Sequence, residues 1–299
     1  LLVTRLIYLQ IFQDVFLDGQ VLSRSYSEYE LLAPRGRILD RENKILAFDV
    51  ISYSVGIDFS KFNNKKSISA LSEILDVEEA SILSSINKQT KGYREIIRNV
   101  SPNTKLLLEK KGIKGLYFKK GLRRSDAKKN TTGHGVELTD IVRNGIQGTE
   151  LVFNNDLEGE EGKFIGIKGS GNTKIEGKRI EAKPGKDITL TIDTDFQSIA
   201  YHQLNRAIDR FGAHSGSVVI VQPKTGEILS LVSYPSFNPS ERKNVNDMSI
   251  FRNRASIDVF EPGSVLKPIA MSAILESQKE DLDSIIETSP GWIEVSGYR

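Results

Sequence analysis

Cysteine is absent from the chain, and histidine, tryptophan and methionine are scarce. Without cysteine the chain forms no disulfide and no thiolate metal site, and the absence is neutral about the cellular compartment. The three histidines, His134, His202 and His214, lie far apart in the sequence and show no ligand spacing. We therefore expect no zinc site, and no other pattern implies a metal or a cofactor.

An excess of one charge and a long apolar run are also missing. The 41 basic and 39 acidic residues leave a net charge of +2, so no overall field favours a nucleic-acid partner. Residues 1–12 are mostly apolar, but Arg5 interrupts them and they fall short of the roughly 20 residues that span a bilayer. The pattern fits equally an amphipathic helix packed on a domain and the outer end of a membrane anchor.

The composition is that of a globular protein, and the length allows two domains. Apolar periodicity and turn residues predict the elements of the first part. In chain order these are mostly helix over residues 1–30, a loop over 33–41, a strand over 53–59, helix over 67–88 broken near Asp76, a helix capped by Ser101 and ended by Gly112, a strand over 115–124, and a loop over 125–135.

The second part of the chain has a sharper pattern. Frequent glycine over residues 144–180 predicts turns and short strands, and residues 181–186 resemble a linker, which places a domain boundary near 185. The predictions beyond it are a strand over 187–192, a capping box of Thr194 and Gln197, an amphipathic helix ended by Gly212, a buried strand over 217–221, a turn over 223–226, and a returning strand over 227–232. Helices mixed with an antiparallel sheet indicate the α+β class.

Ser264 is the candidate nucleophile. It follows Glu-Pro-Gly, which does not continue a helix, and precedes an apolar run, so Ser264 lies where a helix begins. Lys267 is three residues later and falls on the same helical face. A serine hydroxyl needs a base, and a lysine buried beside it would lose solvation and have a pKa lowered toward neutrality. The backbone N–H of Ser264 is a candidate oxyanion donor.

A serine followed three residues later by lysine is a weak signal without its surroundings. The same spacing occurs at Ser85, which ends a predicted helix, and at Ser240, which lies in a polar stretch. The K-T-G triplet at 224–226 and the S-x-N triplet at 236–238 spell motifs of serine acyl-transferases. Both precede Ser264, and the K-T-G lies between a proline and a glycine typical of a hairpin turn. We interpret both as structural.

These residues resemble class B penicillin-binding proteins, and most closely the septal, cell-division branch, to which the Phe260-Glu261 pair points. The matching stretches keep the family's order over almost the whole chain. They are residues 35–41 with 46–47 (R-G-x-I-x-D-R-x-x-x-x-L-A), 145–150 with Phe153 and 157–159 (G-x-x-G-x-E), 189–197 (T-L-T-I-D-x-x-x-Q), 219–238 (a hairpin ending in Y-P-x-F-x-P), and 252–255 through 268 (R-N-R-A…F-E-P-G-S-x-x-K-P).

The resemblance implies a serine-type D,D-transpeptidase that cross-links peptidoglycan stem peptides during septal wall synthesis and is acylated by β-lactams. Ser264 would be the nucleophile and Lys267 the base. The implied domains are an anchor end and juxtamembrane helix (1–30), a pedestal for dimerisation or interaction (31–185), and the first part of the transpeptidase domain (186–299). The implied location is the bacterial inner membrane, with a single N-terminal anchor and the bulk of the chain in the periplasm or outside the cell.

The implied partners are stem peptides ending in D-Ala-D-Ala, β-lactams, and membrane-anchored division proteins that include a glycosyltransferase. The sequence departs from the family at 125–127, where Ser-Asp-Ala replaces an aromatic-proline pair, and the family's S-x-N and K-T/S-G motifs do not occur after Ser264. The chain thus resembles an incomplete fragment. Two alternatives stay open: a non-catalytic scaffold of the division complex, and a β-lactam-acylating sensor or hydrolase.

Residues 105–129 form a strongly basic run. Ten lysines and arginines stand against Glu109 and Asp126. A solvated face is one interpretation of such a run. A surface for an anionic cell-wall polymer or lipid is the other.

Overall fold

The computed structural model describes residues 26–62, 65–87, 92–136, 139–140, 143–168, 174–239, 247–289, 291–292, 294 and 296–297. They belong to two compact units, one ending at Ser256 and the other spanning Ile257–Arg299. Antiparallel sheets and helices occur together, which confirms the predicted α+β class. In these ranges no helix is long and apolar enough to cross a membrane.

The described strands and helices follow one another along most of the chain. The strands are β1 (Tyr26–Leu31), β2 (Ile38–Leu39), β3 (Ile45–Asp58), β4 (Tyr93–Val100), β5 (Leu116–Asp126), β6 (Gly162–Lys168), β7 (Lys174–Ile180), β8 (Ile188–Thr189), β9 (Gly216–Val221) and β10 (Ile228–Tyr234). The helices are α1 (Lys65–Leu75), α2 (Glu79–Asn87), α3 (Pro102–Lys110), α4 (Gly133–Val136), α5 (Gly148–Val152), α6 (Asn154–Leu157), α7 (Thr194–Phe211), α8 (Arg254–Ile257) and α9 (Lys267–Glu276).

The long strand β3 organises the main sheet. It pairs antiparallel with β5 from Ala47 to Ile57, with β4 over its second half, and with β2 at its start. The short β2 pairs in parallel with β8, so one strand links the first and second parts of the chain. Strands β1, β6 and β7 form a separate antiparallel sheet with β6 in the middle.

Three helices cover one face of the main sheet. Leu71 of α1, Ile82 of α2 and Leu108 of α3 are fully buried in a cluster with Val55 and Ile57 of β3. Burying a leucine or isoleucine side chain stabilises a fold by about 1.5–3 kcal/mol. This cluster is therefore the principal apolar core of the first part of the chain.

The predicted helix ends in this region are confirmed. The Ser101 hydroxyl accepts a hydrogen bond from the Thr104 amide at 3.1 Å, and Pro102 occupies the first helical position of α3. Helix α1 ends before Asp76, which has a positive φ of 52°, so the predicted break is also found. Gly112, with φ of 63°, follows the end of α3.

Helix α7 packs on the β9–β10 hairpin. Its residues Ala200, Leu204 and Ile208 form a buried cluster with Val232 of β10, as the helical spacing predicts. Gly212 ends the helix with a φ of 61°. The strand predicted at β9 is found, but the prediction that it is buried is wrong. Half-buried and exposed residues alternate along it, and Val219 is 45% exposed.

Several predicted elements are corrected by the structure. Residues 26–30 lie in strand β1 instead of a helix, because their backbone pairs with β6; residues 1–25 lie outside the described range. The loop predicted over 125–135 contains the end of β5 and a short helix, and the strand predicted over 187–192 is only the two-residue β8. The turns and strands predicted over 144–180 include helices α5 and α6, which tertiary contacts fix despite the glycines.

The predicted capping box at the start of α7 is wrong by one residue. The carboxylate of Asp193, not the hydroxyl of Thr194, accepts hydrogen bonds from the amides of Asp195 and Phe196, at 3.0 and 3.2 Å. The Thr194 hydroxyl and the Gln197 amide are used in contacts with other parts of the chain. A distant partner outcompetes the local cap for both side chains.

Candidate active site

Ser264 lies in a single 3-10 turn, Gly263–Leu266, that leads directly into α9. Gly263 has a φ of 53°, a left-handed conformation that favours glycine. The Val265 amide donates to the Pro262 carbonyl at 3.1 Å, and the Lys267 amide donates to the Ser264 carbonyl. The predicted position of Ser264 at the start of a helix is confirmed, whereas its chemical role stays a prediction.

The side chains of Ser264 and Lys267 are both exposed. Among the described residues no hydrogen bond joins them, and no apolar pocket surrounds the lysine. The structure therefore does not show the desolvation that was expected to prepare Lys267 as a base. Both residues belong to the unit Ile257–Arg299.

Helix α9 is apolar on nearly all sides, yet it is exposed. Ile269 is 65% and Met271 40% accessible to solvent. A helix that is apolar all round is typically buried in the interior of a domain. Among the described residues, no side chains cover the turn that holds Ser264 or the helix that follows it.

Both look-alike motifs before Ser264 have structural roles. Thr225 and Gly226 lie in the turn between β9 and β10, where the Gly226 amide donates to the Gln222 carbonyl at 2.9 Å and Gly226 has a φ of 75°. The Ser236 hydroxyl donates to the Asn130 carbonyl at 2.6 Å. Of the other serine–lysine pairs, Lys88 and residues 240–243 lie outside the described range.

The two pedestal motifs meet in a buried ion pair. The guanidinium of Arg35, from R-G-x-I-x-D-R, donates to one Glu150 carboxylate oxygen through Nε at 3.1 Å and Nη2 at 2.8 Å. Glu150 belongs to G-x-x-G-x-E, lies in the middle of the short helix α5 and is fully buried. Arginine suits such a two-pronged contact because its fork matches a carboxylate. The contact joins two motifs that are far apart in sequence.

Two more arginines complete this cluster. Arg124 donates to the second oxygen of Glu150 at 2.6 Å and forms a longer contact, 3.5 Å, with Asp49. Arg143 donates to Asp49 at 2.9 Å, as does the backbone amide of Arg35. In the sequence Arg124 is one of ten cations in the basic run of residues 105–129, and a run of charges does not show which member turns inward. We refer to Arg35, Asp49, Arg124, Arg143 and Glu150 as the pedestal ion cluster.

Asp40 of R-G-x-I-x-D-R connects the same motif to helix α7. It is fully buried and accepts hydrogen bonds from the Thr194 hydroxyl and from the amides of Glu42 and Lys44, both at 2.8 Å. Burial opposes ionisation, but these hydrogen bonds outweigh it, so the pKa of Asp40 lies below its usual value. The motif therefore contacts T-L-T-I-D-x-x-x-Q through Thr194.

The buried side chain of Gln197 makes several long-range hydrogen bonds that the sequence did not predict. Its amide nitrogen donates to the carbonyls of Thr131 and Leu231, at 2.7 and 2.8 Å. Its oxygen accepts from the Ser230 hydroxyl at 3.0 Å and from the Leu231 amide at 2.8 Å. All four hydrogen bonds of the side chain join α7 to β10 and to the segment that follows β5.

Asp126, at the end of β5, is a buried carboxyl. Desolvation raises its pKa to about 6, against the opposing effect of hydrogen bonds from the Lys128 amide at 2.7 Å and the Thr132 hydroxyl at 2.9 Å. It titrates near neutral pH as a result.

Two protein-family models match successive parts of the chain. The penicillin-binding protein dimerisation domain matches residues 30–190, and the penicillin-binding protein transpeptidase domain matches residues 216–299. The first match contains the pedestal ion cluster, and the second contains Ser264 and Lys267.

Curated relatives resemble the chain along nearly its whole length. A probable peptidoglycan D,D-transpeptidase, PbpC, of Pseudomonas aeruginosa is 34% identical over 98% of this chain and 53% of its own length. The peptidoglycan D,D-transpeptidase FtsI of Escherichia coli is 29% identical over 97% of this chain and 50% of its own length. The chain therefore spans about half the length of the curated relatives it matches.

Solved structures share the fold. Penicillin-binding protein 2X of Streptococcus thermophilus superposes with a TM-score of 0.60 over 91% of this chain and 44% of its own, at 22% identity. A peptidoglycan synthetase of Bifidobacterium adolescentis superposes with a TM-score of 0.58 over 91% and 54%, also at 22% identity. The family models, of which the dimerisation domain alone matches more than half of the chain, show that the chain belongs to the class B penicillin-binding proteins.

Proposed function

We propose that this chain is part of a peptidoglycan D,D-transpeptidase that works through an acyl-enzyme on Ser264. The observation that carries the proposal is the glycine-kinked turn that presents Ser264 at the entrance of α9, with Lys267 three residues on, inside the match to the transpeptidase domain. The named relatives are D,D-transpeptidases, which supports the same activity here.

In the proposed first step Ser264 Oγ attacks the carbonyl carbon of the penultimate D-Ala. Lys267 takes the hydroxyl proton and passes it to the nitrogen of the terminal D-Ala, whose amide bond breaks as the ester forms. The backbone N–H of Ser264 supplies one hydrogen bond to the developing oxyanion. The exposed apolar surface of α9 supports burial of this site when the rest of the transpeptidase domain covers it.

In the proposed second step an amine from a neighbouring stem peptide attacks the ester. The new amide forms, Ser264 Oγ leaves, and its proton is returned through Lys267. A β-lactam enters only the first step, because its ring amide opens without releasing a fragment from the site. The penicilloyl ester then remains on the serine, which is the basis of the test below.

We propose the remaining assignments on the family resemblance. Residues 31–185 serve as the pedestal that docks division partners, including a membrane-anchored glycosyltransferase, and residues 186–299 begin the transpeptidase domain. The protein acts at the septum from the outer face of the inner membrane, held by a single N-terminal anchor. The relatives named FtsI and the Phe260-Glu261 pair support the proposed division role.

The test is the intact mass of the full-length protein and of its Ser264→Ala variant after incubation with a penicillin. We expect one covalent penicilloyl group on the first protein and none on the variant. An adduct that survives Ser264→Ala would overturn the assignment of the nucleophile. Rapid turnover of the β-lactam, in place of a stable adduct, would favour the hydrolase alternative.

A further inference from the structure

The segment of residues 127–136, which we name the junction segment, leaves β5 of the main sheet and crosses to the second part of the chain. It contains a 3-10 turn, Lys129–Thr131, and helix α4. Hydrogen bonds between the Asp126 carboxylate and the amide of Lys128 and hydroxyl of Thr132 fix its start. Its far end meets the stretch that precedes Ser264 in the chain.

The first contacts of the junction segment are to α7 and to the end of β10. The carbonyl of Asn130 accepts from the Ser236 hydroxyl at 2.6 Å, and the carbonyl of Thr131 accepts from the Gln197 amide at 2.7 Å. Gly133 is buried against the Phe237 carbonyl so closely that a Cβ there would overlap it. The backbone of the segment is therefore held at successive residues.

His134 extends this contact to the 3-10 turn Met248–Phe251. Its Nε2 lies 2.8 Å from the Ile250 carbonyl, so Nε2 carries the proton and donates it. Its ring meets the edge of Phe237 with centroids 5.0 Å apart, and Phe237 in turn meets Phe251 at 4.8 Å. The side-chain amide of Gln147, just before α5, also donates to the Phe251 carbonyl, at 2.8 Å.

Asn253 is the last residue held in this way. It is buried, and its amide nitrogen donates to the His134 carbonyl at 3.2 Å while its oxygen accepts from the Ser233 hydroxyl at 3.3 Å. The Ser233 hydroxyl also accepts from the Ala255 amide at 3.2 Å. The junction segment and β10 thus fix the chain immediately before and within α8.

We propose that His134 and Asn253 are positioning residues for the reaction at Ser264. They fix the chain at residues 250–255, and the backbone then continues without interruption through residues 257–263 to the nucleophile. Fixing one end of a loop removes conformations that would place the reacting oxygen wrongly, and a misplacement of about 1 Å costs on the order of a hundredfold in rate. This inference rests on the proposed function of Ser264.

The test compares acylation of the full-length protein by a penicillin with acylation of three variants. Asn253→Ala removes the side-chain hydrogen bonds to the His134 carbonyl and the Ser233 hydroxyl, His134→Phe keeps a ring without the donor, and His134→Gln keeps a donor. We expect the maximal acylation rate to fall about ten- to a hundredfold in the first two, with the dissociation constant of the first complex little changed, and to be largely restored in His134→Gln. His214→Gln, at an exposed histidine in the turn after α7, is the matched control.

A second measurement separates failure of this inference from failure of the proposed function. Amide hydrogen exchange over residues 257–266 should accelerate in Asn253→Ala and His134→Phe, while exchange in β3 and α1 stays unchanged. Unaltered acylation and unaltered exchange in both variants would overturn the inference and leave Ser264 as the nucleophile. If the unmutated protein gains no adduct, the proposed function fails. In that case, faster exchange over residues 257–266 in Asn253→Ala and His134→Phe would still support the positioning contact. Unchanged exchange in these variants would overturn it.

Discussion

The pedestal ion cluster and the Ser264 turn are opposites in their surroundings. In the cluster, Glu150 is fully buried and both its oxygens accept from arginines. Around Ser264 the side chains are exposed and the apolar helix α9 lacks a cover among the described residues. The comparison shows that the pedestal pairs its buried carboxylates with arginines of this chain, whereas the described residues do not enclose the segment around Ser264.

Removal of one partner from the ion cluster should have the largest effect. Glu150→Ala leaves Arg35 and Arg124 buried without their shared carboxylate, which typically costs about 3–5 kcal/mol. Urea unfolding measures the change. The control is Glu160→Ala, whose contact with Lys183 is exposed and should contribute less than about 1 kcal/mol. Equal losses in the two variants would contradict the distinction between buried and exposed pairs.

The buried carboxyl of Asp126 should show the opposite response to pH from an acid whose pKa is lower in the folded state. Its folded pKa of about 6 exceeds the ordinary value of 3.8, so the folded state holds the proton more tightly. The free energy of unfolding should therefore fall as pH rises from about 4 to 6, by roughly 3 kcal/mol for this group.

Asp126→Asn isolates that contribution from the other titrating groups. Because the variant has no carboxyl to ionise, its stability relative to the unmutated protein should improve between pH 4.5 and pH 7.5. Unfolding in urea at both pH values gives the difference. A difference that is the same at both pH values would show that Asp126 does not titrate in this range.

The cap of α7 should have a smaller effect. Asp193→Ala removes the acceptor for two amides in the first turn and should cost about 1 kcal/mol. Asp195→Ala is the matched control, since this neighbouring carboxylate does not cap the helix and its contact with Lys44 is exposed. An equally large loss of stability in Asp195→Ala would contradict the assignment of Asp193 as the capping residue.

Ser264→Ala should have the smallest effect on stability. The exposed hydroxyl has no hydrogen-bond partner among the described residues, so the change in unfolding free energy of this chain should stay within about 0.5 kcal/mol. Thermal unfolding provides the measurement. A loss of more than about 1 kcal/mol in unfolding free energy would mean that Ser264 stabilises the fold, as Glu150 is expected to do.

Local signals in the sequence predicted much of the fold. The cap at Ser101, the break at Asp76, the end of α7 at Gly212 and the turn at Gly226 all depend on residues close to one another in the chain. The position of Ser264 at a helix start follows from Glu-Pro-Gly for the same reason. Such features are predictable because the backbone preferences of glycine, proline and capping residues act within one turn.

The sequence by itself therefore determined the family, the α+β class, most helix ends and the candidate nucleophile. Only the tertiary structure decided which side chains of the polar motifs turn inward: Glu150 to Arg35 and Arg124, Thr194 to Asp40, and Gln197 to Thr131. It also made Tyr26–Leu31 a strand by pairing it with β6. These outcomes depend on partners distant in sequence, because a buried polar group must find its hydrogen bonds wherever the fold brings a donor or acceptor.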